Sequence, residues 1–403
     1  MTREPGRRRL ATGDPLRGLA VLGVLTLHVA TGAVFVTGYL AGAGGTLRPE
    51  EAFTPVGEWI LRALPVSVYL FFALSGFLIT RPFVAAFVQG RPLPALAPYL
   101  RNRALRLFPA AWLLLLFVYL RYGVRDATLG ELASAFTLTE SYAPHPLESL
   151  TGQMWSLKVE LGFYLLVPLA FLAIGRLAMR GTARLRRWAM YLLALLGTMV
   201  SLVFSGMASE WVVAQRSLAW VLIAFMSGFA LAAVLAGRSP VWEGRRARVL
   251  AALAFVAGVV IALLAGHMGV SSPWLTNLLA TLSVSGLLWG PVMLETGGGG
   301  TWRWLDNPVL SWIGARSYAI YLWHVVVMSE VYPLVRGIEG YRVAMLALLP
   351  LVLVGSALVA ELSWRLVESP ALRLRAGRRR PETRAPLPAE ARPVAAAAGG
   401  PLR

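Results

Sequence analysis

Apolar runs alternate with short polar segments along the whole chain, and each run is roughly 18–25 residues long. The first extends from Leu16 to about Leu40. The others begin near Val56, Ala104, Trp155, Trp188, Trp211, Val249, Pro273, Val309 and Val343. Runs of this length are typical of membrane-spanning helices. The pattern therefore predicts an all-α polytopic membrane protein with about ten transmembrane helices.

The first run follows a basic segment, as the core of a cleaved signal peptide also does. It is too long for such a core, and it contains His28. We therefore expect a retained first span. Composition divides the chain into a basic N-terminus (1–13), a membrane domain (14–370) and a basic, low-complexity tail (371–403) that we expect to be disordered.

Charge between the apolar runs predicts the orientation. The second, fourth and sixth connections are rich in arginine, whereas the first, third, fifth and seventh are acidic or neutral. Because cytoplasmic loops carry the excess of basic residues, this alternation places both termini in the cytoplasm. Arg336 and Arg342 in the ninth connection are exceptions. The longest outer connection, about 121–153, is acidic and is either a lid or a plain surface loop.

Composition excludes several classes of protein. Of the 403 residues, 57% are hydrophobic and 14% are charged, whereas about a quarter are charged in soluble domains. The absence of cysteine excludes disulfides and thiolate chemistry. The net charge of +18 comes from arginines in the connections and termini, so it indicates topology and contact with a lipid bilayer rather than nucleic-acid binding. We predict no metal site.

Ionisable residues inside the spans are the candidates for chemistry, because burying them in a bilayer is costly. Arg17 and His28 are eleven positions apart in the first span, so a helix places them on one face and roughly 16 Å apart along its axis. Arg17 is either an interfacial anchor or part of a site. His28 is either a packing residue or a base near the midplane.

Two further groups lie in the third and fourth spans. Arg103 and Arg106 are one turn apart at the inner mouth of the third span, where they either anchor topology or bind a phosphate-bearing ligand. Ser156 and Glu160 share a face at the outer start of the fourth span. Glu160 is either a structural ion-pair partner or a group that orients the histidine base.

The ninth span carries Ser317, Tyr321 and His324 at the i, i+4, i+7 spacing of one helix face. We expect Ser156, Tyr321 and His324 to contact substrate. Arg316, just before this stripe, has two possible partners in the last span, Glu361 and Glu368. We place the remaining histidines, His145 and His267, in outer loops without a role.

These groups, in this order, resemble the acyltransferase-3 family of membrane acyltransferases. The resemblance covers about residues 14 to 370, and its most specific element is the arginine, ten residues, histidine pattern of Arg17 and His28. Supporting elements are Phe72-Ala-Leu-Ser-Gly-Phe-Leu-Ile79, the Arg103 and Arg106 pair, Trp155-Ser-Leu-Lys-Val-Glu160, the stretch from Ser317 to His324, and Glu368-Ser-Pro370. Pro15 departs from the small residue that is more frequent beside the aspartate, which the first turn of a helix tolerates.

The resemblance implies transfer of an acyl group, usually acetyl, from acyl-CoA to a hydroxyl of a sugar, a cell-surface glycan or a glycosylated metabolite. It implies that His28 is the general base, that Arg17 belongs to the same site and that Arg103 and Arg106 contact the phosphates of the donor. Glu160 would support the acceptor side. Imidazole suits the role of base because it titrates near neutral pH.

Many members of the family continue into a soluble esterase-like domain, for which the tail of this chain is too short. We therefore expect either direct transfer to the acceptor or a separate extracytoplasmic transferase that completes it. The expected location is a bacterial plasma membrane. Two other classes fit buried polar residues in ten spans: a transporter or flippase of a glycolipid or acylated small molecule, and a pH-responsive membrane sensor.

Overall fold

The computed structural model describes residues 10–36, 55–123, 128–139, 151–178, 181–208, 210–236, 244–268, 272–338 and 340–375. Within these ranges every element is helical, and ten helical segments are long and apolar enough to cross a membrane, which confirms the predicted fold class. The long helices are α1 (Gly13–Val36), α3 (Val66–Val88), α4 (Leu96–Tyr122), α6 (Trp155–Ala178), α7 (Ala183–Met207), α9 (Leu218–Leu235), α10 (Gly244–Met268), α11 (Pro273–Thr296), α13 (Ser317–Val335) and α14 (Tyr341–Ser363).

Short helices join or extend these spans. They are α2 (Pro55–Ala63), α5 (Leu129–Thr137), α8 (Val212–Gln215), α12 (Pro308–Ala315) and α15 (Ser369–Arg373), together with a 3-10 turn at Gly152–Met154 and a π-helical turn at Trp364–Glu368. The second span continues α2 into α3, and the last continues α14 through the π-helical turn into α15. Turns of π-helix are frequent at functional sites, and this one carries the buried Glu368.

Several helices begin or end away from the boundaries that the apolar runs suggest. The ninth span starts at Ser317 rather than near Val309, because the chain leaves helical geometry at Arg316 (φ −105°, ψ 4°) and residues 308–315 form the separate helix α12. The third span starts at Leu96, earlier than the apolar run near Ala104. Helical hydrogen bonding continues through the arginine-bearing turn, which a hydropathy pattern does not reveal.

Helix α1 lies inside the bundle, against α3, α12, α13 and α14. Its crossing with α12 is close: a Cβ on Gly18 would meet the carbonyl oxygen of Leu310, and one on Gly314 would meet that of Asp14. Small residues allow the backbones of membrane helices to approach in this way. In contrast, α7 and α10 expose much of their apolar surface, as expected of helices that face lipid.

The start of α1 is bonded to the end of α11. The carboxylate of Glu295 accepts hydrogen bonds from the backbone N–H of Ala11 (2.7 Å) and Thr12 (2.9 Å) and from the Thr12 hydroxyl (2.8 Å). A carboxylate at this position satisfies amides that a helix leaves unpaired and interacts favourably with the helix dipole. The contact fixes the end of the helix that carries Arg17.

Some predictions concern residues outside the described ranges. They include most of the 1–13 and 371–403 segments and much of the 121–153 connection with His145. The cytoplasmic location of both termini stays a prediction from charge.

Candidate active site

A cavity that is partly open to its surroundings lies among α1, α3, α4, α6 and α13. Residues predicted from four separate regions of the sequence line it together: Arg17, Arg103, Arg106, Ser156, Glu160 and Tyr321. Ser75, Tyr164, Ser317 and Tyr318 add further hydroxyl groups, and side chains such as Phe71, Phe72, Leu78 and Leu107 supply apolar walls. The mixture of cations, hydroxyls and apolar walls is typical of a ligand site.

Three arginines give the cavity its positive charge. Arg17 forms an ion pair with Asp14 (3.0 Å) on its own helix. Arg103 lies over the rings of Tyr99 and Tyr164, at 5.5 and 5.4 Å from their centroids, and its Nε is buried without a hydrogen-bond partner. Among the described carboxylates, none forms an ion pair with Arg103 or Arg106. These two guanidinium groups therefore keep their charge for a ligand.

Glu160 is held by hydroxyl groups. Its Oε1 accepts hydrogen bonds from Ser75 (2.8 Å) and Tyr164 (2.8 Å). Among the described hydrogen bonds none joins Glu160 to His28, whose ring N–H donates to the backbone carbonyl of Val24, so an orienting role of Glu160 stays a prediction. Glu160 faces the cavity from the side of α6.

The 3-10 turn before α6 is hydrogen-bonded to α13 beside the cavity. Ser156 donates to the hydroxyl of Tyr321 (2.8 Å), which donates to the carbonyl of Gln153 (2.7 Å). The Gln153 amide donates in turn to the carbonyl of Leu322 (2.9 Å). The start of α6 is thus bonded to the second turn of α13. Sequence analysis missed Gln153, although a polar residue next to an apolar run was a signal of a buried contact.

His28 and His324 form a pair beyond Tyr321. Their ring centroids are 4.7 Å apart with an interplanar angle of 74°, and the ring of His324 is 5.7 Å from that of Tyr321. Among the described residues that line the cavity, neither histidine is present. His28 is partly exposed, whereas His324 is 1% exposed. Tyr321 lines the cavity and its ring also contacts His324, so the histidine pair lies next to the wall of the cavity.

Backbone carbonyls fix both imidazole rings. Nδ1 of His28 donates to Val24 (2.9 Å), and Nδ1 of His324 donates to Tyr321 (2.7 Å). A carbonyl oxygen only accepts, so the proton of each neutral ring is on Nδ1 and the lone pair is on Nε2. An imidazole in this tautomer can take a proton from a hydroxyl group at Nε2.

Other charged residues near the bundle ends have structural partners. Arg316 forms an ion pair with Glu361 rather than Glu368, and its guanidinium lies over Trp312 and Trp364. The placement of His267 in a loop is wrong: it lies on α10, because the helix extends to Met268, and its ring contacts Trp59. Among the described residues, no group of three or more His, Cys, Asp or Glu is placed to hold a metal ion.

The chain is similar in sequence to known acyltransferases. A family model described as an acyltransferase domain matches residues 14–361. The acyltransferase MdmB of Streptomyces mycarofaciens is 28% identical over 94% of this chain and 96% of its own length. No solved structure matches the chain.

Two relatives have names that refer to peptidoglycan. The putative peptidoglycan O-acetyltransferase YrhL of Bacillus subtilis is 26% identical over 76% of this chain and 50% of its own length. The peptidoglycan O-acetyltransferase OatA of Listeria monocytogenes is 25% identical over 90% of this chain and 56% of its own length. The chain thus spans about half the length of these two relatives.

Proposed function

Since the chain belongs to the acyltransferase-3 family, we propose that it is a membrane O-acyltransferase that moves an acyl group, usually acetyl, from acyl-CoA to a hydroxyl of a sugar. The observation that carries the proposal is one cavity lined by Arg103 and Arg106, which have no ion-pair partner among the described carboxylates, with a pair of imidazoles beside its Tyr321 wall. The names of the relatives, an acyltransferase and two O-acetyltransferases, are in keeping with this reaction.

The cavity suits an anionic donor. Arg103 and Arg106 have no carboxylate partner among the described residues, and the buried Nε of Arg103 is an unused donor. Phosphate oxygens are good partners for guanidinium groups, because each charge-assisted hydrogen bond is stronger than a neutral one. Arg17 adds a third positive charge to the same wall. The phosphates of CoA would bind here, on the side that the charge pattern places in the cytoplasm.

The thioester would then extend past the hydroxyl-lined part of the cavity toward Tyr321 and the histidine pair. There, Nε2 of His28 removes the proton of the acceptor hydroxyl as its oxygen attacks the acyl carbon. The new C–O bond forms, the C–S bond breaks with its electron pair on sulfur, and the proton passes from His28 to the sulfur. The products are the O-acyl sugar and free CoA. Proton transfer of this kind typically contributes about 10²- to 10⁴-fold to the rate.

The proposed O-acyltransferase function also implies where the protein works and which partners it has. The protein would work in the bacterial plasma membrane, with the acceptor on a cell-surface glycan or a glycosylated metabolite. Transfer would either reach this acceptor directly or be completed by a separate extracytoplasmic transferase as a partner.

The test is release of free CoA thiol from acetyl-CoA by the purified protein in the presence of a glycosylated acceptor. His28→Ala should lower kcat at least about 10²-fold because the base is lost. The matched control is His267→Ala, a histidine at the end of α10 that contacts Trp59. It should leave the rate unchanged. Normal turnover by folded His28→Ala would remove the assignment of His28 as base.

A further inference from the structure

His324 is a buried polar side chain whose presence is not explained by packing alone. It is 1% exposed, its Nδ1 donates to Tyr321, and its Nε2 is buried without a hydrogen-bond partner in the protein. Leaving such a nitrogen unpaired destabilises the folded protein. An apolar ring of similar shape would avoid that cost, so packing alone does not account for a histidine here.

The ring of His28 packs against the ring of His324. With 4.7 Å between centroids and nearly perpendicular planes, the edge of one ring touches the face of the other. His28 is the partly exposed member and His324 is the enclosed one. His28 is therefore the more accessible of the two rings.

We propose that His324 is a positioning residue that acts through His28 and does not bind substrate. Its neutral ring, fixed by the Tyr321 carbonyl, holds the imidazole of His28 in place. It also presents an electron-rich partner to the positive charge that His28 acquires when it takes the acceptor proton. The inference rests on the proposed function of His28 as base, and it replaces the substrate contact that the sequence suggested for His324.

The contact with His324 stabilises protonated His28 more than neutral His28. Neutral His28 gains little from a neighbouring lone pair, because the Nε2 atoms of both neutral rings lack a proton to share. Once His28 is protonated, the contact becomes attractive, as for other cations against aromatic rings. Only an interaction that is stronger in the transition state than in the ground state raises kcat. His324 should thus affect kcat and leave KM unchanged.

The decisive variant is His324→Phe, which keeps a ring of similar shape and removes both nitrogens. We expect its melting temperature to equal or exceed that of the wild type, because the unpaired buried nitrogen is gone. Its kcat should fall about 10²-fold, while KM for acetyl-CoA and for the acceptor stay within about twofold. A role in packing alone would not produce a variant that is equally stable and less active.

A second variant tests the acceptor atom itself. His324→Gln restores an oxygen acceptor near the position of Nε2, so its kcat should exceed that of His324→Phe. Wild-type kcat in His324→Phe would overturn the inference, and so would an equal loss in both variants. A rise in acceptor KM without a change in kcat would instead identify a substrate ligand and also overturn it.

His28→Ala, measured in parallel, separates this inference from the proposed function. If His28→Ala remains active, the assignment of the base fails. If His28→Ala is inactive and His324→Phe has normal turnover, only the positioning role of His324 fails.

Discussion

At the scale of single residues, the carboxylate of Glu160 is bonded to hydroxyl groups rather than to the guanidinium groups that share its cavity. Ser75 and Tyr164 donate to it, and Tyr164 also lies beneath Arg103. The carboxylate keeps its single negative charge, which offsets only one of the three arginine charges that line the cavity. The cavity therefore keeps a surplus of positive charge, which favours an anionic ligand.

Because of this surplus of positive charge, we expect the arginines to determine the affinity for the acyl donor. Replacing both Arg103 and Arg106 by alanine should raise KM for acetyl-CoA about 10- to 100-fold, since a hydrogen bond to a charged group contributes about 1.5–3 kcal/mol. KM for the acceptor should change little. Steady-state kinetics with each substrate varied in turn measures both constants.

The matched control is Arg184→Ala, which removes an exposed arginine from the first turn of α7. Its donor KM should equal that of the wild type. Equal increases in donor and acceptor KM in the Arg103 and Arg106 variant would favour a role in topology over phosphate binding.

Most of the polar residues that the sequence singled out line one cavity, His28 and His324 do not, and the sequence did not predict their partners. Spacing on one helix placed Arg17 and His28 on a common face, and the glutamate, arginine and serine candidates do meet in one cavity. The contact of His28 with His324 joins helices that are nearly 300 residues apart in the chain, and no local pattern specifies it. The same holds for Gln153, whose burial depends on the carbonyl of Leu322.

At the scale of helices, glycine decides how near α1 can lie to α12. Gly314 faces the backbone of Asp14, and Gly18 faces that of Leu310. The approach brings the start of α1, with Arg17, against the short helix that precedes α13. Apolar runs predicted both segments as membrane helices, but the break at Arg316 depends on backbone geometry that hydropathy does not encode.

Gly314→Ala should therefore destabilise the protein by about 1–3 kcal/mol, because the added methyl group has to displace the backbone of α1. Thermal unfolding in detergent would measure the loss. Donor affinity should fall with it, since Arg17 moves with α1.

Gly206→Ala is the comparison, because a Cβ at this helical glycine of α7 meets no atom within 4 Å. Alanine is the better helix former, so this variant should be neutral or up to about 1 kcal/mol more stable. If both substitutions had the same effect, close packing at Gly314 would not be the cause.

At the scale of the whole molecule, the distribution of arginine predicts which ends of the helices face the cytoplasm. The chain contains no cysteine, so single cysteines report accessibility without removal of native thiols. Arg184 at the start of α7 and Trp211 just before α8 are both exposed and lie on opposite sides in the predicted topology.

A membrane-impermeant maleimide should label Trp211→Cys in intact cells. It should label Arg184→Cys only after the membrane is permeabilised. The shift of the labelled protein on a gel measures the extent of labelling of each cysteine variant. The reverse pattern would invert the orientation and place the arginine end of the cavity outside, where cytoplasmic acyl-CoA could not reach it.

The separation of Arg17 and His28 on one helix has a consequence for selectivity. The two lie roughly 16 Å apart along the axis of α1, one on the cavity wall and the other against His324. A helix is stiff over this distance, so in the proposed mechanism it would fix the spacing between a cation near the phosphates of the donor and the proposed base. Thioesters would then be sorted by the length of the arm that joins phosphate to sulfur, before the acyl group itself is recognised.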